Sequence, residues 1–182
     1  MNEKPEKEQP DKVNLPKTVE AAHCLWFAWA LQNFQGPHGE GEASRPVWFP
    51  IERGITHVTV KVVGGDEWQH GDRPIEKTNA HGRTDAEGTK SLRDQAYRTD
   101  YGASQVAVNP ARLNCLMALA GNEAAPIFPF EAIPVGLEGT VEIQEPNTDG
   151  RRLYLGMHDA YQWNNNTGSM QVEVTPARKV EL

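Results

Sequence analysis

The sequence predicts an all-β fold built as an antiparallel β-sandwich. Short stretches alternate apolar and polar residues with a period of two, and Gly, Pro, Asn and Asp separate them. After Phe34 no stretch of ten or more residues carries a convincing helical period. The 16 glycines and 13 prolines exceed the average usage of about 12 %, as a turn-rich fold requires.

Residues 1–20 hold nine charges together with Pro5, Pro10 and Pro16. Their few apolar residues follow no period, so they read as a disordered charged tail. A single β-sandwich domain is expected over residues 21–178. Val19 to Phe34 is the plausible helix before the core, although its aromatics fit a buried strand equally well, and Glu87 to Tyr97 is a second short-helix candidate. The first clear strand is Thr56 to Val63, with Val58, Val60 and Val62 on one face, and Gly64-Gly65 is expected to end it. From Gly64 to Ser104 large apolar residues are scattered, so a long polar loop is expected there. Further strands are expected over Leu113–Leu119, Gly139–Ile143, Arg152–His158 and Ser169–Thr175. In the last of these Met170, Val172 and Val174 alternate with Gln171, Glu173 and Thr175.

Charge and motif content narrow the function. The formal net charge is −7 and no basic block exists, which argues against nucleic-acid binding. The longest apolar run, Leu25 to Leu31, falls far short of the ~20 residues that span a bilayer, so no membrane insertion is expected. The charged start is not a secretory signal peptide. The expected location is cytoplasmic, or reached by export without a cleaved signal. Cys24 and Cys115 form no C-x-x-C pair and read as buried thiols. No G-x-S-x-G nucleophile motif is present, and Glu131 and Glu138 read as turn-flanking glutamates rather than a glycosidase pair. His70, Asp72, His81 and Asp85 match no recognised metal spacing and read as a solvated polar loop. The chain is therefore not expected to be an enzyme.

The informative stretch runs from Arg152 to Val174 and reads strand, polar loop, strand. The loop places Asp159, Asn164, Asn165 and Asn166 within eight residues, followed by Gly168. Calcium takes six to eight oxygen ligands from carboxylates, amide carbonyls and backbone carbonyls, and this loop supplies all three kinds. The same residues are also ordinary turn formers.

This stretch resembles the C-terminal signature of the small calcium-dependent galactophilic lectins of bacteria, the LecA-like family. His158-Asp159 stands at the end of a strand, and Asn165-Asn166-Thr167-Gly168-Ser169 stands where that family carries its paired amides. The resemblance covers roughly residues 50–175 and is strongest over 150–175. It implies a jelly-roll sandwich of galactose-binding-like topology and a lectin that binds a glycan or other saccharide. It further implies calcium held by Asp159, Asn165, Asn166 and a backbone carbonyl at Trp163 or Gln162, with another carbonyl near Trp68 or Gln69. The sugar would meet Asp159 and Asn166, with Trp68 or Trp163 stacking on its apolar face. Three features depart from the family: His158 replaces an Asn, the gap to the amide pair is one residue shorter, and Tyr161 and Trp163 are bulky. A homo-oligomer is compatible with such a domain. The alternative reading is a non-catalytic interaction or assembly module of a bacterial secretion or phage-like system that reuses the sandwich without sugar.

Overall fold

The computed structural model describes residues 15–21, 23, 46–69, 77–82, 114–122, 132–158 and 166–177. Among these the regular elements are all strands: β1 (Lys17–Glu20), β2 (Val47–Pro50), β3 (His57–Gln69), β4 (Leu116–Asn122), β5 (Ile133–Pro134), β6 (Glu138–Glu142), β7 (Arg151–Met157) and β8 (Thr167–Pro176). One sheet has the order β1-β8-β3-β6 and the other β2-β7-β4-β5. Every neighbouring pair is antiparallel. The two sheets bury their facing residues against each other, which makes the predicted sandwich.

The period-two pattern explains that packing. Val58 and Val60 of β3, Val141 of β6 and Met170, Val172 and Val174 of β8 line the inner face of the first sheet. Phe49, Leu116, Ala118, Leu153, Leu155 and Met157 line that of the second. Each fully buried aliphatic side chain here contributes about 1.5–3 kcal/mol of transfer free energy. The second sheet is buried beyond this inner face. Met117, Leu119 and Tyr154 alternate with the core residues, yet all three are buried too. A simple half-exposed sheet is therefore not what the β7 sequence produces.

Four expectations change. Lys17–Glu20 belong to β1 rather than to a disordered tail, because Val19 is buried in the core and the strand pairs with β8. Val19 and Glu20 are accordingly not helical, and Ala21 is a turn residue. The rest of that candidate helix, apart from His23, lies outside the described residues, as does Glu87 to Tyr97. Gly64-Gly65 does not end the strand. The register against β8 shifts there and β3 runs on to Gln69, so the pair forms a bulge. Gly65 has φ 65°, and a Cβ on it would sit 2.9 Å from the Ser169 carbonyl, so only glycine fits. Finally, part of the expected long loop is ordered packing: Trp68 pairs with Thr78, and His81 with Cys115.

The first edge strands of the two sheets meet through cations. Lys17 Nζ donates to the Trp48 carbonyl at 2.6 Å and lies 4.7 Å above the Phe49 ring. The Arg152 guanidinium stacks 3.8 Å over Trp48. Lys17 Nζ also lies 5.1 Å from the Trp48 ring centroid, so the exposed Trp48 ring has two cations near it, at about 0.5–1 kcal/mol per contact.

The core assignment predicts a contrast measurable by urea unfolding. Leu155→Ala should cost about 2–5 kcal/mol, because Leu155 is fully buried between the sheets. Leu137→Ala, at a side chain 37 % exposed, should cost well under half as much.

Candidate functional site

The described residues flanking the candidate stretches meet at one end of the sandwich. β1, β3 and β7 finish there, and β2, β4 and β8 begin there, as the registers Glu20↔Ser169, Trp68↔Gly168, Leu116↔Met157 and Val47↔Leu155 require. The chain between Ala21 and Val47, between Gln69 and Lys77, between Gly82 and Asn114, and between His158 and Asn166 leaves from this end and returns to it. The opposite end carries the 51–56 and 143–150 turns.

Trp68 is the centre of this end. Its side chain is fully buried, and its indole Nε1–H donates to the Asn114 carbonyl at 2.7 Å. Its backbone exchanges hydrogen bonds with Thr78: Trp68 N–H to the Thr78 carbonyl at 3.0 Å, and the reverse at 2.9 Å. Asn114 takes φ 66°, a left-handed backbone that asparagine tolerates better than most residues. Its N–H donates to the His158 carbonyl at 2.9 Å, and its Nδ2 donates to Thr78 Oγ1 at 3.2 Å. The His158 N–H donates to the Cys115 carbonyl at 2.8 Å. The last residue before the candidate loop is therefore locked to the start of β4.

The far side of that loop is held differently. Asn166 is buried, and its Nδ2 donates to the Ala21 carbonyl at 3.3 Å. The Ala21 N–H donates to the Gly168 carbonyl at 2.9 Å. Gly168 has φ 99°, and a Cβ there would lie 2.7 Å from Trp68 Cα, so β8 can approach β3 only as glycine. The glycine of the Asn-x-Gly turn is thus required by the fold itself. Beyond Ala21, the His23 N–H donates to the Glu20 carbonyl at 2.8 Å, and the Glu20 N–H donates to His23 Nδ1 at 3.0 Å. The His23 carbonyl accepts from Met157 N–H at 2.8 Å. Burial pulls the His23 pKa below its ordinary value, partly opposed by the Glu20 carboxylate. The ring is then neutral near pH 7, as an Nδ1 acceptor must be.

The residues expected to form the site fare unequally. Trp68 is a correction: an indole with no exposed surface offers no stacking face to a sugar, and its carbonyl is engaged by Thr78. Gln69 is the last residue of β3, opposite Thr167. Asn166 does lie at this end, with its amide oriented by Ala21. Asp159, Trp163, Gln162 and Asn165 lie outside the described residues. Of the histidine–aspartate set, His81 is exposed and pairs with Cys115, while His70, Asp72 and Asp85 lie outside the described residues. Among the described residues no three His, Cys, Asp or Glu side chains come together as a metal group. Nor, among them, is any helix long and apolar enough to cross a membrane. Glu138 forms an exposed ion pair with Lys61 at 3.5 Å, while Glu131 lies outside the described residues. Cys115 is a buried thiol, as expected; Cys24 lies outside the described residues. Sequence reasoning missed Asn114 and His23. An asparagine interrupting the apolar run Leu113 to Ala120 was the signal for the first; a lone histidine gave none for the second.

No protein-family model matches the chain, and no curated protein matches it. Among solved structures, the chain is similar to one described as the EclA N-terminal domain, a PllA-like lectin, at 18 % identity and a TM-score of 0.42. The alignment covers 91 % of this chain and 98 % of that one. At this similarity the sandwich assignment rests on the two sheets themselves.

Two outcomes follow from this geometry. Gly168→Ala should destabilise the fold by at least about 2 kcal/mol in denaturant unfolding, since it adds left-handed strain to a backbone clash. The second concerns pH. His23 binds its proton less readily folded than unfolded, so its contribution is complete above about pH 6.5 and is lost as pH falls through the lower folded pKa. Unfolding free energy should therefore drop on acidification more in the wild type than in His23→Asn, which keeps an acceptor but cannot titrate. Equal slopes for the two proteins would contradict it.

Proposed function

We propose that the chain is a non-catalytic carbohydrate-binding domain whose 159–168 loop holds calcium and, through it, a galactose-type sugar. The donor chemistry of the loop supports this: one carboxylate, Asp159, and the amide carbonyls of Asn165 and Asn166, with the Trp163 backbone carbonyl beside them. The observation that carries the reading is the seating of Asn166. It is buried at the β8 end of the stretch, and its Nδ2 donates to the Ala21 carbonyl, so a residue of the candidate donor set is built into the scaffold.

Asn166 and Gly168 fix the β8 root of the loop, and the His158–Cys115 bond fixes the β7 root. Between them Asp159, Asn165 and Asn166 would hold the ion. Calcium supplies open coordination positions that two vicinal sugar hydroxyls can fill in place of water. With Trp68 withdrawn into the core, Trp163 is the aromatic assigned to the sugar's apolar face. The acidic balance of the chain, −7, favours a cation-assisted site over an anionic ligand.

A thermal-shift series with calcium and with EDTA tests this. Calcium at 100 times its dissociation constant should add about 2.7 kcal/mol to the folded state. Asp159→Ala should remove the shift, and galactose should add a further shift only when calcium is present. No response of the wild type to millimolar calcium would sink the proposal.

A further inference from the structure

We infer that the Glu20–His23 turn is a clasp that sets the spacing between the two roots of the 158–166 connection, with His23 as its positioning residue. The two roots belong to different sheets, since β7 lies in one and β8 in the other. No strand ladder therefore fixes their separation; hydrogen bonds outside the ladders do so, through the Trp68–Asn114–His158 joint and through the turn after β1. The turn after β1 spans that gap. Ala21 takes the β8 root twice, accepting from Asn166 Nδ2 at 3.3 Å and donating to the Gly168 carbonyl at 2.9 Å. Two residues later, His23 takes the β7 root by accepting from Met157 N–H at 2.8 Å.

Among the described residues, His23 closes the turn on Glu20. Its N–H and its Nδ1 bond the carbonyl and the N–H of the same residue, Glu20, closing a reciprocal pair at 2.8 and 3.0 Å. Removing the imidazole leaves the Glu20 N–H without that acceptor and loosens both attachments. His23 itself is not among the residues proposed to hold the ion. It acts by pre-ordering the loop's anchors, which lowers the ordering cost that a ligand must otherwise meet on binding. The consequence for affinity rests on the calcium reading above; the clasp itself does not.

The test compares wild type, His23→Ala and His23→Asn as full chains, with amide hydrogen exchange and calcium titration calorimetry on each. In His23→Ala the Met157 and Ala21 amides should exchange faster while the Ile51 amide at the opposite end is unchanged. Calcium affinity should fall about 3–10-fold, the equivalent of one hydrogen bond. His23→Asn, which restores an acceptor, should recover both. Should His23→Ala fail to fold, His23→Phe keeps the volume without the acceptor and carries the same expectation. Unchanged exchange at Met157 and Ala21 overturns the clasp. Faster exchange with undiminished calcium affinity overturns its role in positioning. A wild type that binds no calcium overturns the function reading instead, and the exchange comparison alone then decides the clasp.

Discussion

The hydrogen bond from the Trp68 indole to the Asn114 carbonyl is the constraint on which this end of the sandwich depends. A buried indole N–H without a partner costs about 1–3 kcal/mol, and here it is satisfied across the sandwich. Trp68 is next to last in β3 of one sheet, and Asn114 lies two residues before β4 of the other. Their bond therefore joins the sheets at the end where the long connections emerge. The left-handed backbone at Asn114 belongs to the same arrangement, since its N–H bonds His158 and its side chain bonds Thr78. Residues 77–82, which a sequence reading assigns to loop, are ordered because they complete this joint.

Around that joint the two roots of the candidate loop are secured by different means. The β7 root is tied through His158 to Cys115, a bond within one sheet, and through Met157 to His23. The β8 root depends on a glycine that admits the β3 backbone and on an asparagine side chain. Scaffold and candidate ligand set thus overlap in Asn166. A substitution there would disturb packing and donor chemistry at once, which is why Asp159 makes the cleaner test of the ion and His23 the cleaner test of the scaffold.

Much of the fold was legible because period-two alternation is a local property. β3, β6, β7 and β8 each follow from their own residues. β1 was not, because Lys17–Glu20 contributes one buried side chain, Val19, and the charged neighbours mask it. β2 ends in a proline and carries an exposed tryptophan, and both weaken a strand signal. Gly64-Gly65 read as a terminator because a bulge and a strand end use the same residue. The site was less legible. Asn166 and Gly168 sit within a motif, so they could be seen. The burial of Trp68 could not, since tryptophan serves both cores and sugar faces, and the difference lies in a partner 46 residues away. The pairing of His23 with Met157 is likewise a long-range contact that no local pattern encodes.

Ligand chemistry is proposed for the Trp68 end of the sandwich. Calcium titration followed by backbone amide NMR shifts addresses it most directly. Saturable shifts are expected at Ala21, Met157, His158 and Asn166 to Ser169, with Ile51, Gly54, Ile143 and Thr148 at the far end unmoved. Shifts centred on the far end, or none at millimolar calcium, would contradict it.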